Sequence, residues 1–380
     1  MKVKVKYMLM SLVLLIVLFL TLKGCSMKWK RAPYYSISNK EGDDFSTDAF
    51  QITTGGQGFL GGYAFNSDED FKFTDFRQDI AVHKALIQKT ADNWKTRTTV
   101  FEGNGEIEEF FNIGNGRVLA RNKQADQETL LSRTQILTNI GLSWQEISKL
   151  DFYVKKIYGS ESPWLVAIGF PNESRGTVYI MVSSSGAKNW DRVQLEGFTS
   201  PDIVDEIALT LSKFGKLYRF SSFQLDFVDL NRTEAMYHWN LLSKAPSPLR
   251  RPFMLLQENR LSVIGNTSDS SFGIWNISAD GTGPNAIQEC TGIPKEFSID
   301  RFECRRDALY LVGSTLIKRD GEVRGVECYL LKSDLAGKHW VDIHLPITSS
   351  LQAVDFGEDG SIWASAPGNR IQVFSGNEKN

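Results

Sequence analysis

Most of the chain after residue 33 alternates between apolar and polar positions with a period of two, the pattern of half-buried β-strands. Clusters of Gly, Asn, Asp and Ser interrupt this alternation and are typical of turns. The pattern therefore predicts an all-β protein built from hairpins. Seven hairpins of one kind stand out: "FQITTGGQGFLGG", "FFNIGNGRVLA", "YVKKIYGSESPWLVAIG", "LTLSKFGKLYRFS", "FMLLQENRLSVIG", "FECRRDALYLVG" and "VDFGEDGSIWASA".

A second series of strand pairs runs in phase with the first, and a tryptophan follows the turn in five of them. The intervals between these tryptophans are 50, 46, 49 and 101 residues, so the last interval spans two units. The unit without tryptophan is expected near residues 284–288. A fixed period of this length is the mark of a repeat architecture. The five residues are Trp94, Trp144, Trp190, Trp239 and Trp340.

The two series together predict a β-propeller, whose blades are four-stranded antiparallel sheets of about 40–50 residues. Counting the pairs predicts seven blades, with the C-terminal blade one strand short. We expect a strand near residues 34–37 or 50–53 to complete that blade, because pairing removes an exposed sheet edge. Six or eight blades, or an open solenoid, are the alternatives.

The turns before three of the tryptophans resemble Asp-box repeats, also called BNR repeats, which read Ser/Thr-x-Asp-x-Gly-x-Thr-Trp. Leu335 stands at the Asp position of the last turn. The resemblance implies a sialidase-like propeller in which the box is a structural turn. Large aromatic side chains of this kind are expected to pack between blades. The matching positions are Asn139, Gly141, Ser143 and Trp144, then Ser183, Ser185 and Trp190, then Ser333, Gly337 and Trp340.

The N-terminus has a lysine-rich leader and a 15-residue uncharged stretch over residues 8–22. This is short for a membrane-spanning helix, which needs about 20 residues, and it fits the apolar core of an export signal. Leu22, Gly24 and Cys25 resemble the lipobox of bacterial lipoproteins, whose cysteine is acylated, although Lys23 departs from it. The resemblance implies a signal peptide over residues 1–24, a lipidated tether over 25–33 and one propeller over 34–380. An uncleaved signal anchor is the alternative.

Net charge and cysteine content limit the ligands and the disulfides that are expected for this chain. The formal net charge is −2, and without the four lysines of the leader it is −6, so a nucleic-acid-binding role is not expected. Beyond Cys25 the chain has Cys290, Cys304 and Cys328. An oxidising compartment permits one disulfide, for which Cys290 and Cys304 are the candidates. No motif for a metal or a cofactor is present.

No catalytic motif is found either, so we expect a protein without enzymatic activity. The string "KRAPYY", with Arg31 and Pro33, departs from the arginine motif of sialidases. Arg250 and Arg251 are candidate contacts for a carboxylate-bearing partner, with solvated loop arginines as the alternative. Trp164 is a candidate contact at a loop tip, or else a residue of a blade core.

These features together predict a monomeric, protein-binding lipoprotein of the periplasm, held by its lipid to the membrane. Ser26 follows the cysteine, and in lipoproteins this implies the inner leaflet of the outer membrane. The favoured role is an immunity protein that blocks a toxic effector, for example a phospholipase or other hydrolase. The alternatives are an envelope assembly factor, similar in layout to the propeller lipoprotein of the barrel-assembly machine, and a sialidase-like enzyme.

Overall fold

A computed structural model gives the fold of the chain. In its described residues there are 29 strands and no helix, so the all-β prediction is confirmed. The described residues are 30–31, 35–36, 45–53, 57–64, 83–91, 96–114, 116–125, 132–140, 143–159, 163–170, 178–198, 207–221, 223–232, 234, 236–268, 271–284, 286–305, 307–319, 322–343, 353–356, 362–365 and 370–375.

Two very short strands come first, and three regular blades follow them in the chain. Each blade is a four-stranded antiparallel sheet whose strands are neighbours in sequence order. The two short strands are β1 (Lys30–Arg31) and β2 (Tyr35–Ser36). Blade 1 contains β3 (Phe45–Ile52), β4 (Gly58–Ala64), β5 (Lys84–Thr90) and β6 (Thr98–Asn104). Blade 2 contains β7 (Glu106–Asn112), β8 (Val118–Ala125), β9 (Ser132–Ile140) and β10 (Ser143–Leu150). Blade 3 contains β11 (Tyr153–Tyr158), β12 (Leu165–Phe170), β13 (Tyr179–Ser183) and β14 (Asp191–Val193).

Three further blades of the same kind complete the regular part of the fold. Blade 4 contains β15 (Ala208–Leu211), β16 (Lys216–Ser221), β17 (Gln224–Asp229) and β18 (Asn240–Lys244). Blade 5 contains β19 (Arg250–Gln257), β20 (Arg260–Ser268), β21 (Ser271–Ser278) and β22 (Gln288–Cys290). Blade 6 contains β23 (Ser298–Arg305), β24 (Ala308–Arg319), β25 (Glu322–Asp334) and β26 (Val341–Asp342).

The last sheet departs from the regular pattern that the sequence predicted for seven blades. It has three C-terminal strands, β27 (Ala353–Phe356), β28 (Ile362–Ser365) and β29 (Arg370–Ser375). Both N-terminal strands pair with β29, so its outer edge is covered in two short pieces rather than by one full strand. The structure therefore has six regular blades, and the expected seventh is an irregular composite sheet. The physical reason is that, among the described residues, two short N-terminal segments cover β29 in place of one complete strand.

The apolar faces of neighbouring blades bury one another. All six residues of β12 are buried, as expected for a middle strand covered on both faces. Trp144 on β10 packs against Phe59 of blade 1 at 5.1 Å between ring centroids and against Phe110 at 5.6 Å. Trp340 lies buried between blades 5 and 6. Trp190 and Trp239 are half-buried in the next interfaces, and Trp94 lies outside the described residues.

Two of the tryptophan turns share one hydrogen-bonding scheme. The Trp190 indole N–H donates to the Ala187 carbonyl at 3.1 Å, and the Trp340 indole N–H donates to the Gly337 carbonyl at 2.8 Å. Ala187 and Gly337 both have a φ of 69°. In the last turn Asp334, rather than the residue at position 335, accepts the backbone N–H groups of the turn. The acid of the turn therefore stands one residue earlier than the Asp-box alignment places it.

Backbone hydrogen bonds at these turns join neighbouring blades. The Thr291 N–H donates to the Lys338 carbonyl at 2.8 Å, and the Trp340 N–H donates to the Thr291 carbonyl at 2.8 Å. A matching parallel bridge joins Leu195 of blade 3 to Tyr237 of blade 4. The tryptophan turns thus connect the outer edges of blades in addition to filling their interfaces.

The predicted bridge between Cys290 and Cys304 is absent: no disulfide joins the cysteines of the described chain. Cys290 lies on β22, the outer strand of blade 5, whereas Cys304 lies on β23, the inner strand of blade 6. Their radial separation is the physical reason that nearness in sequence misled the prediction. The Cys290 thiol donates to the Gly337 carbonyl at 3.4 Å, and burial raises its pKa to about 12.

Truncation of the interblade aromatic cluster should lower the free energy of unfolding. We expect Trp144→Ala to cost about 3–5 kcal/mol, because it removes a buried ring and leaves a cavity. Trp239→Ala is the matched control, and its cost should be smaller because that ring is only half-buried. Urea denaturation of both variants measures the difference. Equal losses would contradict the assignment of Trp144 to a fully packed interface.

Candidate functional site

The inner strands of all seven sheets line one central cavity of about 980 Å³. They are β3, β7, β11, β15, β19 and β23, the first strand of each regular blade, and β27 of the composite sheet. We call this cavity the central channel. Its position on the propeller axis makes it the place where loops and strands from every blade converge on a ligand.

Five of the seven inner strands have a break in register at the same point of the strand. A β-bulge places one extra residue on one strand and re-aims its side chain. Each break leaves a charged residue unpaired, together with Pro252 in β19, and we call these five charged residues the bulge ring; all of them except Lys155 line the channel. Its members are Asp48 on β3, Glu108 on β7, Lys155 on β11, Arg251 on β19 and Asp300 on β23.

The next residue of three of these strands is charged as well. Glu109, Lys156 and Arg301 line the channel directly after the bulge. Sequence reasoning missed the ring, although a signal existed: each bulge residue stands two positions before an aromatic or branched apolar residue, and the motifs recur at the blade period. The motifs are "DAF", "EEF", "KKI", "RPF" and "DRF".

Arg121 on β8 neutralises the acidic part of the ring. Its Nη2 lies 3.4 Å from carboxylate oxygens of both Glu108 and Glu109. Its Nη1 donates to the carbonyls of Val154 and Lys155, each at 2.7 Å, so it also satisfies backbone groups at the bulge of blade 3. Burial lowers the pKa of Arg121, but Glu109 and Glu108 outweigh that effect and raise it above its ordinary value.

Burial is the largest influence on the pKa values of the acids in the channel. It raises the pKa of Glu109 in spite of the opposing charges of Arg121, Arg301 and Lys156. Although 41% of the Glu109 side chain is exposed, this surface faces the enclosed channel rather than bulk solvent. Since Arg301 belongs to blade 6 and Glu109 to blade 2, charges interact across the channel as well as around it.

A second cluster joins the last blades to the first. Arg301 pairs with Glu303 and donates to the Val354 carbonyl of the composite sheet. Arg305 lies 3.1 Å from Glu303 and 3.7 Å from Asp355. Burial also raises the pKa of Asp355.

Asp355 in turn contacts blade 1. One of its carboxylate oxygens accepts the Ile52 backbone N–H at 2.5 Å and the Gln51 side-chain amide at 3.4 Å. The cluster therefore spans the point where the ring of blades closes. Its charged groups connect the composite sheet to blade 6 and to blade 1.

This arrangement is suited to recognition of charged groups. Most of the channel's arginines and acids compensate one another as ion pairs. Within the described ranges, no group of three or more His, Cys, Asp or Glu side chains could hold a metal ion. The same residues include no helix long and apolar enough to cross a membrane.

The structure separates the partner contacts that the sequence suggested. Arg251 lines the channel, whereas Arg250 pairs with Asn266 in the β19–β20 ladder. Trp164 is half-buried beside the turn of blade 4, where a Cβ added to Gly215 would lie 2.8 Å from its ring. Trp164 is not among the residues that line the channel, and Cys25 lies outside the described residues.

The raised pKa of Glu109 predicts a pH-dependent stability difference. The folded state holds this proton more tightly than the unfolded state, so ionisation costs stability as pH rises from the ordinary value of 4.5. Relative to wild type, Glu109→Gln should gain stability as pH rises through that window, measured by urea unfolding at several pH values.

Glu296→Gln is the control of opposite sign. Glu296 pairs with Lys318 at 2.7 Å, which lowers its pKa, so this variant should lose stability relative to wild type as pH rises towards 4.5. If both variants follow the wild-type curve in parallel, the electrostatic description of the channel is wrong.

The chain resembles solved propellers in fold alone. No protein-family model matches it, and no curated protein matches its sequence. YCF48 from Cyanidioschyzon merolae superimposes with a TM-score of 0.52 at 12% identity, covering 93% of this chain and 99% of that one. A structure of YCF48 bound to D1 peptide gives 0.51 at 13% identity, covering 93% and 98%.

An archaeal propeller is similar to the same degree. The β-propeller domain of the Trilobed protease from Pyrococcus furiosus gives a TM-score of 0.53 at 11% identity, covering 89% of this chain and 96% of that one. That domain is described as having an open velcro topology, whereas here β1 and β2 pair with β29. The likeness establishes a β-propeller fold.

Proposed function

We propose that this chain is a protein-binding propeller without catalytic activity, which receives a charged segment of its partner at the central channel. The bulge ring is the observation that carries the proposal. Its five charged residues occupy matching positions on separate strands, and all of them except Lys155 line one cavity. A ring of this kind offers directional contacts to a polypeptide entering along the axis.

The charges of the ring are distributed unevenly. Blades 1 and 2 contribute Asp48, Glu108 and Glu109, against which stands the single Arg121. Blade 3 contributes Lys156, and blade 5 contributes Arg251. A partner segment with charges of both signs therefore finds complementary groups on opposite sides, and like charges reject a segment in the wrong orientation.

A propeller of the same fold provides a precedent for a peptide ligand. YCF48 has been solved bound to D1 peptide. At 13% identity this likeness carries no residue of that protein over to this chain, so the support for a polypeptide partner comes from the channel itself.

The finer proposal is an immunity lipoprotein. In this proposal Cys25 bears the lipid, the propeller lies in the periplasm at the inner leaflet of the outer membrane, and a toxic effector is the partner. An envelope assembly factor would use the same channel for a different partner. A sialidase-like enzyme would also need acids and arginines at the axis, but the ion pairing of Arg121 and Arg305 favours recognition over reaction.

Site-specific photo-crosslinking in the native cell tests partner binding at the channel. A photoreactive amino acid at Thr210, on the neutral inner strand of blade 4, should give a covalent adduct with one polypeptide. The same residue placed at Lys244, on the outer strand of that blade, is the control and should give none. Adducts at Lys244 alone, or at neither position, would refute binding at the channel.

Gene deletion tests the finer proposal. If the chain is an immunity protein, its loss should cause self-intoxication, and deletion of the crosslinked effector in the same strain should restore growth. Envelope defects that persist after the effector is removed would instead support the assembly factor.

A further inference from the structure

Arg251 is held in an unusual backbone conformation. Its φ is 46°, in the left-handed region that residues other than Gly and Asn rarely adopt. Pro252 follows it, and a residue before proline normally adopts an extended conformation with negative φ. Conformations of this kind persist only where the surroundings enforce them, and they are concentrated at functional sites.

The neighbouring strand explains how the conformation is enforced. Gly265 on β20 lies directly behind the bulge of β19. A Cβ at this glycine would stand 2.8 Å from the Arg250 carbonyl oxygen and 3.4 Å from the Pro252 Cα. The bulge therefore packs closely against Gly265, where any side chain would collide with it.

Arg251 differs from the other arginines of the channel in its surroundings. Arg121, Arg301 and Arg305 each have a carboxylate partner within the channel. Arg251 is exposed and, among the residues that the structure describes, has no ion pair or hydrogen bond. A guanidinium in this state offers its five donors to a ligand, and carboxylates match their geometry.

Asp300 occupies the matching bulge of the next blade, and it is also exposed. Within the described chain no ion pair connects it to Arg251. Since inner strands β19 and β23 belong to adjacent blades, an arginine and a carboxylate occupy matching positions of the channel wall.

We propose that Arg251 is the carboxylate-binding residue of the channel, and that Asp300 accepts an N–H group from the same ligand. The ligand is a polypeptide segment with an exposed Asp or Glu side chain, whose neighbouring backbone or side-chain N–H faces Asp300. This inference rests on the proposed function for its biological partner and names the chemistry that the partner must present.

Two short peptides that differ in one group test the inference on the purified full chain. The probes are Ac-Gly-Ala-Glu-Ala-Gly-NH2 and the same peptide with Gln in place of Glu, with affinity measured by NMR titration. Wild type should bind the Glu peptide more tightly than the Gln peptide. Arg251→Gln should weaken binding of the Glu peptide about tenfold and leave the Gln peptide unchanged.

Three variants separate a binding role from a structural one. Arg251→Lys keeps the charge without the paired donors, so it should lose part of the preference for Glu. Asp300→Asn replaces the charged acceptor of the ligand N–H by a weaker neutral one, so it should weaken binding of both peptides. Arg232→Gln removes an arginine that is 75% exposed and lies away from the channel, so it should leave both affinities unchanged.

Several results would overturn the inference. They are equal binding of the two peptides by wild type, no binding of either, an unchanged preference in Arg251→Gln, or an equal loss in Arg232→Gln. If neither peptide binds while the Thr210 crosslink forms, the assignment of Arg251 as a carboxylate-binding residue is wrong and the proposed function stands. If the peptides bind as expected while the crosslink is absent, the site stands and the proposed function fails.

Discussion

Burial of both faces of every blade is the constraint on which the structure depends. A four-stranded sheet in this chain has apolar side chains on two faces, and one neighbour covers only one of them. The clusters around Trp144 and Trp340 show the solution, since each joins residues of two successive blades. The first and last sheets satisfy the same requirement only by meeting each other. Ring closure is thus part of the core rather than an addition to it.

The channel follows from that packing. Seven inner strands that converge on one axis leave a space too narrow for further sheets and large enough to be lined by polar side chains. At the β-bulges of five of these strands, or directly after them, charged residues line the space, where burial raises the pKa values of acids such as Glu109 and Asp355. Arginines from neighbouring strands offset this cost. The cluster around Asp355 contributes to closure and to the channel at once, because it contacts Ile52 of blade 1.

The sequence predicted the repeat and the strand order, because strand alternation and turn residues depend on local chemistry. It also located the unit that lacks a tryptophan after its turn, which is β21–β22; the tryptophan of this unit, Trp275, lies before the turn on β21. The composite sheet and the pairing of cysteines were harder to predict from the sequence, because both depend on which distant segments meet. Cys290 and Cys304 are close in sequence, yet one lies on an outer strand and the other on an inner strand. The bulge ring was missed for a related reason: a doublet such as Glu108-Glu109 is ordinary in a sequence, and its meaning arises only when five such sites face one axis.

Closure by the N-terminal strands is the central claim, and paired-cysteine crosslinking tests it most directly. Lys30 and Ser375 are register partners between β1 and β29. In a chain whose native thiols have been replaced, cysteines at these two positions should form a disulfide rapidly under native conditions and not in urea. Cysteines at Lys30 and Asp342, on the outer strand of blade 6, should not. Failure of the first pair to form a bridge, or equal bridging by both pairs, would contradict a ring closed by its two ends.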